Sequence, residues 1–233
     1  KEILTWVTGR GRTQVQRPIT HQDLAMLKLA REPFSRAGWI FELKYDGFRV
    51  LAGYSQGKPQ LISRLGTDLL PFFPEIGREL QILGDKAPIM LDGELVILDK
   101  NERPQRDRLR RRPSLRRADI EHASRTEPAV LAIYDLLAVG GEDIRAKPLV
   151  ERKDPLDKSL PSKPTRIFAV KHHQENGEAL CKLADMQKME GISAKSAQSS
   201  YCGGYASGWL KIRTAHGRAA DAERKKWTLS AIW

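Results

Sequence analysis

Lys44-Tyr45-Asp46-Gly47-Phe48-Arg49 places an amine nucleophile, a carboxylate, a turn residue and a fixed cation within six positions. A lysine can form a covalent bond to an electrophilic phosphorus once it is a free amine. In water a lysine has a pKa of about 10.4, so only about one in 10³ is unprotonated at neutral pH. Such chemistry therefore needs burial, neighbouring cations or a bound metal to favour the amine, and a rigid element to aim it.

The elements that must position the hexapeptide are readable around it. Trp39-Ile40-Phe41-Glu42-Leu43 mixes aromatic, β-branched and apolar side chains, which predicts a strand ending near Lys44. Gly47 predicts a tight bend or a close backbone approach. Strands are expected at Trp39–Tyr45, Arg49–Tyr54 and Gln60–Ser63, joined as a meander through Gly47 and Gln56-Gly57-Lys58-Pro59. A short helix is expected from His21 to Arg31, and another from Phe73 to Leu83, where Phe73, Ile76, Leu80 and Leu83 recur at helical spacing. An alternating strand at Ile89–Leu98, an apolar strand at Val130–Leu137, a helix at Glu178–Met189 and strands at Gly191–Lys195 and Trp209–Arg213 follow. Strand pairs interrupted by isolated helices imply an α+β fold of largely antiparallel sheets.

Composition narrows the class. The 233 residues are 40% hydrophobic, enough for a real core, and no window approaches the roughly 18 apolar residues of a membrane span. Cys181 and Cys202 form neither a metal-ligand spacing nor a disulfide framework and read as free thiols, so a cytoplasmic setting is the expectation. The net charge of +11 suits a polyanionic partner. Arg103 to Arg117 concentrates that charge, either as a solvated basic face or as a surface for the phosphates of such a partner.

The hexapeptide resembles the Lys-x-Asp-Gly-x-Arg motif of ATP-dependent DNA ligases, RNA ligases and mRNA capping enzymes. Five further segments resemble the remaining motifs of that group, in order: Ser63-Arg64-Leu65-Gly66, Asp92-Gly93-Glu94, Tyr134-Asp135-Leu136-Leu137, Glu190-Gly191-Ile192-Ser193-Ala194-Lys195 and Trp209-Leu210-Lys211-Ile212-Arg213. The resemblance covers roughly residues 18 to 215 and leans towards the adenylyltransferase domain of bacterial ligase D type end-joining ligases. It implies an ATP-grasp-like nucleotidyltransferase domain of packed sheets flanked by helices, with the nucleotide pocket between them.

What the resemblance implies for the site is specific. Lys44 is the nucleophile that takes AMP from ATP, with Lys211 and Arg213 as cations that neutralise phosphate during in-line loss of pyrophosphate. Glu42, Leu43, Arg49, Arg64, Glu94, Tyr134, Glu190 and Lys195 are the further nucleotide-binding positions. Tyr134 offers a ring to the base, Arg64 is associated with the ribose and DNA, and Glu42 is an acceptor for the exocyclic amine of adenine. Glu94 and Glu190 are the expected ligands of Mg2+, for which Mn2+ is an alternative. The implied substrate is nicked double-stranded DNA, with end-joining or other repair proteins as partners, no membrane, and a bacterial, nucleoid-associated location.

Departures from the pattern carry their own expectations. Leu65 stands where Asn is usual, Ser193 where an apolar residue is usual, and Arg213 where a second Lys is common. The expected organisation is an N-terminal extension at 1–17, the adenylyltransferase domain at 18–215 and a basic-aromatic tail at 216–233, without an OB-fold domain. An RNA ligase or capping-type nucleotidyltransferase is the second enzyme reading. A degenerate paralogue that binds nicks without turnover is the non-enzyme reading.

Overall fold

The structure is a computed structural model that describes residues 19–161 and 165–230. Among the described residues, eleven strands form two sheets. In the first, β1 (Ala25–Leu29), β11 (Gly204–Arg213), β10 (Gly191–Ser196), β2 (Trp39–Lys44) and β9 (His172–Gln174) lie side by side in that order. In the second the order is β4 (Lys58–Ser63), β3 (Phe48–Ser55), β5 (Ile89–Ile97), β6 (Ala129–Val139) and β7 (Glu142–Asp143), with β8 (Ile167–Ala169) also on β6. All pairings are antiparallel except β1 with β11 and β6 with β8. The α+β class with largely antiparallel sheets is as the sequence implies.

Alternation explains the layering. Phe41, Ile192, Ala194 and Ile212 point from the first sheet onto α5 (Gly177–Met186), burying Leu180, Cys181 and Ala184. The opposite residues Ile40 and Trp209 meet Leu51, Met90 and Leu137 of the second sheet. The far side of the second sheet packs Val50, Leu91 and Leu95 against Ile76 and Leu80 of α1 (Pro74–Gly84). The layers are thus helix, sheet, sheet, helix. With both faces covered, β5 is buried at all nine positions, so the expected half-exposed alternation is absent there.

Several expectations change. The three strands around the hexapeptide are not one meander: β2 belongs to the first sheet, while β3 and β4 belong to the second. Gly47 marks the crossing, and a Cβ there would sit 2.1 Å from the Leu95 carbonyl oxygen, so the bend is a close backbone approach. The helix expected at His21–Arg31 is a single 3-10 turn, His21–Asp23, closed by reciprocal bonds between Thr20 and Asp23, after which the chain extends as β1. Parallel pairing with β11 supplies the partner that local sequence could not announce.

The basic block folds as α2 (Arg106–Arg111), a 3-10 turn, and α3 (Arg117–Thr126). It is neither wholly solvated nor wholly available to phosphates. Arg112 is 2% exposed and pairs with equally buried Glu75 at 3.0 Å, and Arg106 pairs with Asp46. The two remaining helices were not expected: α4 (Leu149–Ser159) packs against β6, and α6 (Ala215–Ser230) occupies most of the segment expected as a tail. The extension expected at 1–17 lies outside the described residues. Cys181 is a buried free thiol and Cys202 an exposed one. Among the described residues no helix is long and apolar enough to cross a membrane.

Candidate active site

The bend at Tyr45–Gly47 is tied down from the second sheet. The Tyr45 amide donates to the Tyr134 hydroxyl on β6 at 3.1 Å, and the Gly47 amide donates to Glu94 Oε1 on β5 at 3.1 Å. Lys44, the last residue of β2, therefore leaves a rigid strand at a fixed crossing. Its ammonium donates to Glu190 Oε2 at 2.6 Å, with both side chains partly buried. Glu190 immediately precedes β10, whose Gly191 is the register partner of Lys44.

Register places the rest. On the side of the first sheet facing the second, Lys44, Gly191 and Arg213 form one row, Glu42, Ser193 and Lys211 the next, and Ile40, Lys195 and Trp209 a third. A cleft opens between the sheets over this surface. Its walls include Lys44, Arg49, Arg64, Glu94, Tyr134, Lys195 and Lys211, together with Ser193 and the apolar Ala25, Met26 and Leu27 of β1. Five cations around one carboxylate and one aromatic ring make a surface suited to a nucleoside polyphosphate.

Each charged wall residue has a defined support. Asp92 grips Arg49 with two bonds of 2.5 and 2.6 Å, and the guanidinium lies 5.2 Å from the Tyr134 ring centre. Tyr201 donates to the same Asp92 at 2.8 Å and accepts from the Ala25 amide at 2.9 Å, linking β1 of the first sheet to β5 of the second. Burial pushes the Glu94 carboxyl up, opposed by the Lys44 and Arg49 charges. Burial first, then the Arg213 and Lys44 cations, push the Lys211 ammonium down. Burial likewise lowers Lys195, which sits 4.5 Å from the Trp209 ring centre and 5.2 Å from that of Tyr134.

Four sequence-expected residues lie elsewhere. Glu42 is fully buried behind the wall: Lys153 of α4 takes Oε1 and Lys195 lies 2.7 Å from Oε2. Burial pushes its carboxyl up, yet Lys153 and Lys195 outweigh that and hold it at about 2. Leu43 points to the opposite side of the strand, among the apolar residues over α5. Arg213 lies one row beyond Lys211 and pairs with Asp221 of α6, lining a separate groove. Glu190 touches Lys44 but borders a small neighbouring cavity with Asp46.

A profile described as the ATP dependent DNA ligase domain matches residues 22–213. The chain belongs to the ATP-dependent DNA ligase family. It is 29% identical over 188 residues to the SPbeta prophage-derived DNA ligase-like protein LigB of Bacillus subtilis, covering 80% of this chain and 65% of that protein. It is 30% identical over 204 residues to the bifunctional non-homologous end joining protein LigD of the same organism, covering 79% of this chain and 33% of that one. The chain thus spans less than two thirds of the length of these curated relatives. Among solved ligases, the Mycobacterium tuberculosis LigD ligase domain superposes with a TM-score of 0.64 at 23% identity, over 82% of this chain and 58% of that one. A mycobacterial DNA ligase D complexed with ATP superposes with a TM-score of 0.64 at 21% identity, over 81% and 59%. At that identity the likeness speaks for the fold.

In this ligase chain, sequence reasoning overlooked a buried ionic layer. Arg152 and Asp135, both fully buried, form two bonds of 2.9 and 2.8 Å, and the adjacent Lys153 donates to the Tyr134 carbonyl at 2.8 Å as well as to Glu42. The available signal was weak: two adjacent cations in a charge-rich helix look solvated. Asp135, inside an otherwise apolar strand, was the better clue, since a buried carboxylate requires a partner.

Proposed function

We propose that this chain is the adenylation unit of an ATP-dependent DNA ligase. The observation that carries the reading is Lys44 Nζ, delivered by a tied bend into a cleft with four other cations in its walls and 2.6 Å from a carboxylate. Glu190 is placed to accept the proton that Lys44 must lose. The free amine then attacks the α-phosphorus of ATP, the bond to pyrophosphate breaks, and a phosphoramide joins Lys44 to AMP. Lys211, Arg49 and Arg64 stabilise the phosphate charge along this path, and Tyr134 supplies the ring against the base.

Transfer of the AMP to a 5′-phosphate at a nick, and attack by the 3′-hydroxyl with release of AMP, complete the ligation. Nicked double-stranded DNA is the proposed substrate, and relatives named for non-homologous end joining support a repair setting. Among the described residues no three His, Cys, Asp or Glu side chains converge on a metal position. Glu94 and Glu190 both lie beside Lys44, which fits the habit of Mg2+ to use one or two carboxylates with substrate phosphates. Bound there, Mg2+ or Mn2+ supplies further neutralisation of phosphate oxygens.

Incubation with labelled ATP or GTP and magnesium, followed by nicked DNA or nicked RNA, tests the reading. Covalent label from ATP in preference to GTP, discharged by nicked DNA, is expected. Label from GTP alone would move the protein to the capping type, and discharge by nicked RNA only would move it to the RNA ligases.

A further inference from the structure

Helix α6 begins against the residue that holds Lys44. Thr214, 2% exposed, donates its hydroxyl to the Met189 carbonyl at 2.7 Å and accepts from the Gly217 amide at 2.9 Å. It thus caps the helix and ties it to the segment before Glu190. At Gly217 a Cβ would lie 1.9 Å from the Glu190 carbonyl oxygen, so the first turn is pressed onto that backbone. Asp221 follows Gly217 by four positions and shares its face of the helix. Its carboxylate pairs with Arg213 Nη1, and its charge is also felt at the Lys211 ammonium.

Strand register shows what that carboxylate opposes. Lys44 on β2, Gly191 on β10 and Arg213 on β11 form one row, about 10 Å from end to end at two strand spacings. An in-line displacement that starts from Lys44 at one end drives pyrophosphate towards the other, where Lys211 and Arg213 are the cations. Asp221 meets the same two cations from α6, at the place where the charge of the leaving group needs neutralising. Arg213 is only partly used by this pairing, since its Nε is buried with no hydrogen-bond acceptor among the described residues. A phosphate can take both prongs of a guanidinium.

We infer that α6 is an autoinhibitory strap, in which Asp221 competes with the β- and γ-phosphates of ATP for Arg213 and Lys211. The inference rests on the adenylation reading, because it takes the triphosphate to run from Lys44 towards β11. The competition acts on ATP as it enters and on pyrophosphate as it returns. It therefore slows formation of the adduct and its reversal by pyrophosphate alike. AMP ends at the α-phosphate and escapes it, as does transfer of AMP to a nick, a step without pyrophosphate.

The test compares equilibrium binding of ATP and of AMP to the full chain without divalent metal. A partly exposed ion pair corresponds to a change of up to about fivefold. Asp221→Asn is expected to bind ATP about two- to fivefold more tightly than the wild type, with its affinity for AMP unchanged. Asp221→Glu should keep the wild-type affinities, and adding Arg213→Ala to Asp221→Asn should abolish the gain. An Asp221→Asn chain that binds ATP no better, a gain shared equally by AMP, or a gain that survives Arg213→Ala overturns the inference. Adduct formation, followed separately by intact mass, judges the adenylation reading: its absence leaves the two binding ratios decisive for Asp221.

Discussion

Lys211 and Arg213 look equivalent on paper, two cations alternating on one strand, but their surroundings divide them. Lys211 faces the cleft, whereas Arg213 is committed to Asp221 outside it. Lys211→Ala should therefore slow single-turnover AMP incorporation roughly 10²-fold, the scale of losing one preorganised charge-stabilising donor. Arg213→Ala should cost less than about fivefold, the scale of a partly exposed ion pair. Equal losses in the two variants would show that Arg213 swings inward to the phosphates. Glu42 gives a pH signature. Its folded pKa, about 2, lies below the ordinary 4.5, so its contribution to stability is complete above 4.5 and fades as pH falls towards 2. Urea midpoints measured across that window should fall more steeply for the wild type than for Glu42→Gln, and parallel slopes would contradict the assignment.

At the scale of elements, the Tyr45–Gly47 crossing and helix α4 do the positioning. Gly47 has no room for a side chain, so Gly47→Ala should cost about 1–3 kcal/mol of stability through overpacking, read from the denaturant midpoint. Lys153→Met strips the Glu42 carboxylate and the Tyr134 carbonyl of a buried partner, and breaking such a pair costs about 3–5 kcal/mol. A midpoint shift near zero in that variant would mean that Lys195 and solvent replace it. These elements also mark how far the sequence could be read. The strand before Lys44, helix α1 and the strands around Glu94, Tyr134 and Lys211 were legible because their signals, helical spacing in α1 and short apolar, β-branched runs in the strands, are local. Strand β1 was not, because its pairing partner lies at the far end of the chain. The split of β2 and β3 between two sheets was also hidden, since a bend within a meander and a bend between sheets use the same turn residue. Arg112, Arg152 and Lys153 read as solvated cations because the carboxylates that permit their burial come from distant elements.

The whole molecule is two sheets between helical layers, with the cleft opening where the chain crosses from one sheet to the other. That plan brings Lys44 from one sheet against Arg49, Glu94 and Tyr134 from the other, so the site exists only when both sheets are packed. The net charge of +11 acts at this scale too. Binding to nicked duplex should weaken at least tenfold between about 50 and 200 mM salt, as counterion release dictates. A salt-independent affinity would remove the phosphate backbone from the account. The central claim remains covalent capture of AMP by one lysine, and intact mass after incubation with ATP and magnesium tests it most directly. The wild-type chain should gain the mass of a single adenylyl group and Lys44→Ala should gain none; an adduct that persists in Lys44→Ala, or a wild type that forms none, would contradict it.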